Sequence, residues 1–277
     1  MSDLQIKKIN INDDWMKYPV VFFDTETSGA YAIESEIIEI GAIKWFNGKI
    51  IDQFQILLKP KKKLTENNIR IHGITNEILE KAVSIDTVIH QFHDFINNCI
   101  VVAHHAPFDL GFMALAFEDH QLKFPETLNL CTSLLSRALI ATTNHKLQTL
   151  VKELKLSGGE AHRAYDDANA CLQVFLKCTE KIDPDQTIKR LLDIQSKDLS
   201  WVNYSVVQSH DSKLISLAES CRVQSEIVFT YLSGQTKGQT RKMIPLGIVR
   251  NPDGDYVHGF CLIDQQNKRF YINKIII

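Results

Sequence analysis

The stretch Val20-Val21-Phe22-Phe23-Asp24-Thr25-Glu26-Thr27-Ser28-Gly29 constrains this chain more than any other. Its first half is apolar, aromatic and β-branched, the pattern of a buried strand. Asp24 and Glu26 then follow at i and i+2. Strand geometry points both side chains to one face while Thr25 points away. Two carboxylates so close to a buried run are costly unless a cation or a proton compensates them. The other reading of the stretch is an ordinary strand end opening into a solvated turn, and the rest of the chain decides between the two.

At 277 residues, 44% hydrophobic and 23% charged, the composition is globular and fits one large domain or two small ones. A net charge of -2 excludes bulk attraction to nucleic acid or membrane, so nucleic-acid binding has to be local or bridged by cations. Residues 1–182 carry a balance of -4 and residues 183–277 one of +2. The six cysteines form no CxxC pair or small-domain disulfide spacing and read as reduced thiols. No apolar run reaches transmembrane length and the start lacks a signal peptide's apolar region, so a cytoplasmic location without a membrane partner is expected.

After a polar lead over residues 1–17, three β-rich segments (Val20–Asp24, Ile37–Trp45 and Ile50–Lys59) suggest a meander with the opening strand at one end. Thr65 is placed to cap a short helix ending near Arg70, Thr75 the turn after His72-Gly73-Ile74, and Ser84 a helix reaching Ile96. Ile100–His104 reads as a short buried strand and Asp109–Asp119 as a helix. A second short strand lies near Asn129, and helical patterns cover 146–154 and Ala164–Cys178. This order is an α/β plan on a mixed sheet. The expected organisation is a domain over 1–182, a partly helical connector over 183–220, and a β-rich module over 221–277. In the module, five short strands in under 60 residues suggest a small β-barrel.

Three groups far apart in sequence bear on the Asp24–Glu26 pair. Asp109 follows the segment His104-His105-Ala106-Pro107-Phe108; Asp167 lies in the first turn of a long helix, where the macrodipole favours a carboxylate; His162 precedes it by five residues. Singly, these read as a helix cap, a first-turn stabiliser and a solvated loop residue. Jointly, Asp24, Glu26, Asp109 and Asp167 are four hard-oxygen ligands suited to Mg²⁺ or Mn²⁺ and not to structural zinc. Two such ions about 4 Å apart activate water and stabilise attacking and leaving oxygens at phosphorus. His162 is then free to deprotonate that water.

These segments resemble the DnaQ-like 3'-5' exonucleases of the DEDDh group, over about residues 18–178. The motifs that carry the likeness are Asp24-Thr25-Glu26-Thr27, Ile71-His72-Gly73-Ile74-Thr75, Val102 to Asp109, and His162 to Ala168. The resemblance implies a ribonuclease H-like fold, with two divalent ions (Mg²⁺ or Mn²⁺) held by Asp24, Glu26, Asp109 and Asp167, and His162 as general base. Thr25, Thr27, His72, Gly73 and Ile74 would receive the terminal nucleotide of a DNA or RNA 3' end, with Phe108 either against its base or packed in the core behind Asp109. Asp166, at the wrong interval, faces elsewhere. One departure is His105, where the family usually has asparagine; an imidazole cannot reproduce an amide's donor–acceptor pair, so the local hydrogen bonds must differ.

Residues 221–277 resemble a WYL domain, a small SH3-like β-barrel, with the name-giving triplet reduced to Tyr256-Val257-His258. That resemblance implies a surface for nucleic acid, an anionic ligand or a protein partner, with Arg241, Arg269, Tyr231 and Tyr256 as its residues. Eight basic and four acidic side chains make the module +4, which favours phosphate. The expected activity is release of nucleoside 5'-monophosphates from unpaired 3' ends of DNA. The alternatives are an exoribonuclease or oligoribonuclease, and a catalytically impaired nucleic-acid-binding regulator.

Overall fold

A computed structural model describes residues 8–206, 209, 211–234 and 237–277. The first seven residues of the polar lead, residues 207, 208 and 210 of the connector, and residues 235 and 236 of the turn after Gly234 lie outside the described residues. The chain opens with β1 (Val20–Thr27), β2 (Ile37–Phe46) and β3 (Lys49–Leu57), then helices α1 (Glu66–His72), α2 (Asn76–Leu79) and α3 (Ile89–Ile96). Next come β4 (Ile100–Ala103), α4 (Pro107–Asp119), β5 (Leu128–Cys131), α5 (Thr132–Leu139), α6 (Leu147–Glu153), α7 (Ala164–Thr179), α8 (Ile188–Gln195) and α9 (Ser212–Val223). The last stretch holds β6 (Ile227–Tyr231), β7 (Thr240–Val249), β8 (Tyr256–Cys261), β9 (Gln266–Tyr271) and β10 (Ile275–Ile276). Two compact units result. The first takes Met1–Ser28, Ile37–Asp109 and Phe124–Leu199; the second takes Gly29–Glu36, Leu110–Lys123 and Ser200–Ile277.

The first unit is built on a mixed sheet in the order β3-β2-β1-β4-β5, flanked by helices, as in ribonuclease H-like folds. β1 is therefore the central strand, and the expectation that it would lie at one end is corrected. The chain returns after the meander and pairs β4 in parallel with Val20–Phe22 on the side of β1 away from β2. Val20, Val21, Phe22 and Phe23 are all 0% exposed, and an unbroken apolar run of this kind is what a strand covered on both faces requires. Ser84 caps only a 3-10 turn over Ile85–Thr87, and α3 begins at Ile89. α4 begins at Pro107, so Asp109 lies inside its first turn.

α7 lies against this sheet, its Leu172 and Phe175 sharing a core with Trp15, Phe22, Ile43 and Trp45. The approach is closest at Gly41 of β2, where a Cβ would stand 2.1 Å from Tyr165 N and 2.2 Å from Ala164 C. Gly41 is the register partner of Asp24. Absence of a side chain there is what lets the first turn of α7 reach the carboxylate end of β1.

The second unit contains an antiparallel sheet in the order β10-β6-β7-β8-β9. It is open, and the closed SH3-like β-barrel expected for residues 221–277 is corrected. β9 pairs only with β8, and the two-residue β10 pairs only with β6, so the end strands never meet. The apolar face is sealed instead by α9, whose Leu214, Leu217, Ala218 and Cys221 pack with Phe229, Met243, Val257 and Phe270. Two of the five short strands expected here, Thr240–Pro245 and Leu246–Val249, are one strand, β7, with a register shift between Pro245 and Gly247. Among the described residues no helix is long and apolar enough to cross a membrane.

Replacing Gly41 by alanine forces backbone apart and not merely a flexible side chain. The expected loss is at the upper end of about 1–3 kcal/mol, read as a lower midpoint in urea unfolding. A midpoint equal to the parent's would contradict the close approach.

Candidate active site

The candidate side chains come from β1, from the first turns of α4 and α7, and from the loop before α7. β1 carries Asp24, half-buried, and Glu26, 8% exposed, at its outgoing end. The first turn of α4 supplies Asp109, which is 2% exposed. Thr25 fixes it: the Thr25 backbone N–H and hydroxyl both donate to Asp109 Oδ1, at 3.0 and 2.8 Å. The first turn of α7 supplies Asp167, whose two oxygens accept from Gln148 Nε2 at 3.0 Å and from the His162 N–H at 3.1 Å. His162 is exposed, in left-handed backbone at φ 62. Ligand atoms of Glu26, His162 and Asp167 all lie within 4.8 Å of one another.

The electrostatics are those of an uncompensated acidic cluster. Burial, then the charges of Asp109, Asp167 and Glu26, hold the Asp24 carboxyl well above the usual range. Burial, Asp167, Glu39 and Asp109 push Glu26 up to about 8, with Arg163 pulling the other way. Asp109 is pushed by burial to about 7 against the two bonds from Thr25, and burial also raises Asp167. Carboxyls that resist ionising together favour a nearby cation, since a bound cation lowers each of them. Glu26, His162 and Asp167 place ligand atoms close enough together that they could hold a cation.

The region around His72 lies beside the same loop. The Ile74 N–H donates to His72 Nδ1 at 3.0 Å, so the ring proton sits on Nε2, which is buried and has no hydrogen-bond partner among the described residues. A cavity of about 70 Å³ is lined by His72, Gly73, Ile74, Leu57 and Ile78 together with Glu160 and Arg163, the residues flanking His162 in the chain. Gly73 ends α1 in left-handed backbone at φ 71, whereas the Ile74 side chain is core, packed with Ile38, Leu64 and Leu79. Thr27 is 9% exposed and Phe108 half-buried. Asp166 turns away from the cluster, accepting from Glu160 N–H at 2.9 Å. His105 is exposed at φ 63, a conformation that asparagine and histidine both enter more readily than most residues.

Four supporting residues were not anticipated. Glu39 pairs in register with Glu26, is 0% exposed, and accepts from Arg163 Nη2 at 2.9 Å, Arg163 Nε at 3.2 Å and Ala164 N at 3.1 Å. It clamps the His162 loop to β2. The signal was available: a carboxylate inside the apolar run Ile37–Trp45 demands a cationic partner. Gln148 left no such trace. His104 is the fourth: its ring joins Thr132 Oγ1 at 2.8 Å and the His145 carbonyl at 3.0 Å, and burial lowers it to about 4. It thereby anchors the segment that leads into Gln148. Of the residues expected on the C-terminal module, Arg241 is 5% exposed and paired with Asp264, and the Tyr231 hydroxyl accepts from the Tyr271 N–H at 3.3 Å. Tyr256 is half-buried and Arg269 exposed.

A mixed sheet that gathers carboxylates from three elements at the end of its central strand defines a ribonuclease H-like nuclease domain. Residues 21–175 match the model of the RNase_T family, described as Exonuclease, and the chain belongs to that family. It is 35% identical over 182 residues to the PolC-type DNA polymerase III of Thermotoga petrophila, a match covering 65% of this chain and 13% of that protein. The Halalkalibacterium halodurans counterpart is 38% identical over 151 residues, covering 54% of this chain and 10% of that one. Exonuclease X in complex with 5' overhanging duplex DNA superposes with a TM-score of 0.51 at 24% identity, covering 64% of this chain and 99% of that one. The zinc-bound E. coli ExoI–ssDNA complex gives 0.55 at 16% identity, covering 94% and 64%. These structures establish the fold. The WYL resemblance of residues 221–277 finds no support in the family match, which ends at residue 175, and the barrel it implied is absent.

The raised carboxyls make a linkage prediction. Glu26 keeps its proton in the fold up to about 8, but only to its ordinary 4.5 in the unfolded chain. Its contribution to stability is therefore complete below 4.5 and lost as pH rises through 8. In EDTA, Tm should fall between those pH values. Added Mn²⁺ should raise Tm more near pH 8 than near pH 5, since the ion competes with protons. Differential scanning calorimetry checks both, and a Mn²⁺ gain independent of pH would contradict the assignment.

Proposed function

We propose that this chain is a 3'-5' exonuclease that hydrolyses the terminal phosphodiester bond of nucleic acid and releases nucleoside 5'-monophosphates. The observation that carries the reading is the cluster of four raised carboxyls with His162 beside two of them. Asp24, Glu26, Asp109 and Asp167 would hold two divalent cations, Mg²⁺ or Mn²⁺. Such ions supply positive charge to a reacting phosphate and acidify water. The chain's own residues do the rest. Thr25 and Gln148 aim the carboxylates of Asp109 and Asp167. His162 takes the proton from the attacking water, its ring exposed and its backbone tied to Asp167. Thr27, Phe108 and the His72-Gly73-Ile74 turn receive the terminal nucleotide, and the unpartnered His72 Nε2–H is a donor available to it.

DNA is the favoured substrate, in single-stranded or unpaired 3' ends. The supporting observation is identity of 35–38% to PolC-type DNA polymerase III proteins over the exonuclease segment. A regulator without activity is disfavoured because all four carboxylates and His162 are present, and His105 occupies a backbone conformation asparagine would also adopt.

Labelled single-stranded and duplex DNA and RNA, incubated with Mg²⁺ or Mn²⁺ and resolved by length, test the reading. Mononucleotides released from 3' ends, faster from deoxy than from ribo strands, are expected; a strong ribose preference would overturn the choice of DNA. Asp24→Asn and Asp167→Asn should fold normally and be nearly inactive. His162→Ala should lose about 10²–10⁴ in turnover with a smaller loss of cation binding. Parent-like turnover of that variant across pH 6–9 would remove it as the base.

A further inference from the structure

We infer that the outward face of β8 and β9 is a stacking platform for single-stranded nucleic acid, separate from the carboxylate cluster. The polynucleotide character of the partner rests on the reading above. In β8, Val257, Gly259 and Cys261 are buried, while the alternating Tyr256, His258 and Phe260 are only half-buried and form the other face. β9 pairs so that Tyr271 stands opposite Tyr256 and Arg269 opposite His258, both exposed, with Phe270 turned into the core. Tyr31 extends the row. Its ring stacks on His258 at 5.3 Å and 27°, and a 2.6 Å hydrogen bond joins its hydroxyl to His258 Nδ1. Gly247, opposite His258, makes room, because a Cβ there would stand 2.4 Å from Tyr31 Cβ.

Charge distribution selects the occupant. Residues 221–277 are +4, yet five of their eight cations are paired with carboxylates, Arg222 with Glu219 among them. Lys242 pairs with Glu226, Arg250 with Asp255, and Arg241 and Lys268 share Asp264. Arg269 and Lys274 have no ion-pair partner among the described residues. Both lie over aromatic rings of this face instead: Arg269 at 5.0 Å from the Tyr256 centroid and Lys274 at 5.6 Å from that of Tyr271. Of the three cations left, Lys237, Arg269 and Lys274, two therefore lie on the module's solvent-facing rings. Rings that accept any base by its π-face, beside cations free to meet phosphates, fit a single strand of any sequence. A duplex, with its bases stacked inward, would use the charge and leave the rings idle.

The test is fluorescence anisotropy of the full chain with a labelled oligothymidylate of about 20 nucleotides in EDTA, where hydrolysis is off. Tyr271→Ala should weaken binding about tenfold and Tyr271→Phe should restore it, since the ring and not the hydroxyl stacks. Arg269→Gln should weaken binding and make the log–log salt slope shallower by about 0.7. Turnover of the nitrophenyl ester of thymidine 5'-monophosphate, too small to span a platform, should match the parent in all three variants. Parent binding that Tyr271→Ala weakens, together with absent hydrolysis by the parent in Mg²⁺ or Mn²⁺, would overturn the exonuclease reading and keep this one. Failure of the parent to bind, equal affinity in Tyr271→Ala, or equal competition by inorganic polyphosphate and oligothymidylate would overturn the platform.

Discussion

Burial of the Asp24, Glu26, Asp109 and Asp167 carboxyls, with repulsion among them added, is the constraint on which the first unit depends. The apolar run before Asp24 makes β1 a central strand, and a central strand ends where neighbouring elements converge. Its carboxylates are thus desolvated by the same packing that positions them. That packing is strong enough to hold four acids in an arrangement each disfavours singly. Two features keep the arrangement closed: the absent side chain at Gly41, which lets α7 descend onto β2, and the Glu39–Arg163 pair, which ties the loop carrying His162 to the same strand.

Around the cluster, polar side chains act as orienters. Thr25 gives Asp109 two bonds, and Gln148 and the His162 N–H give Asp167 one to each oxygen. His104 works at one remove, holding the His145 carbonyl three residues before Gln148. Such bonds fix each carboxylate's rotation within the fold itself.

Much of this was legible in the residues. Asp24 and Glu26 declared themselves by interrupting a buried run with like charges. His162 and Asp167 did so by a spacing that straddles a helix start. The two motif segments around His72 and Asp109 fell where the structure has turns leading to or from helices. What escaped depended on long-range pairing. The central position of β1 is decided by the return of β4, some 80 residues later, and no local pattern contains that. The open second sheet is similar: Leu214, Leu217, Ala218 and Cys221 mark α9 as a helix with one apolar face, but not that this face would seal a sheet and remove the need for closure. Gln148 is silent for another reason, since an isolated amide on a helix surface looks the same with or without a carboxylate to hold.

The second unit is threaded from three stretches of chain, 29–36, 110–123 and 200–277. Ile33 packs into its core, Tyr31 lies on His258, Phe117 meets Trp201 edge-on at 5.5 Å, and Glu118 accepts from Ser205. The last stretch is therefore not a detachable cassette. Ending the chain near residue 199 would leave Ile33 and Phe117 facing water, and transplanting residues 200–277 would carry away a sheet without the two inserts that complete it. The module therefore cannot be cut out of the chain as one continuous segment.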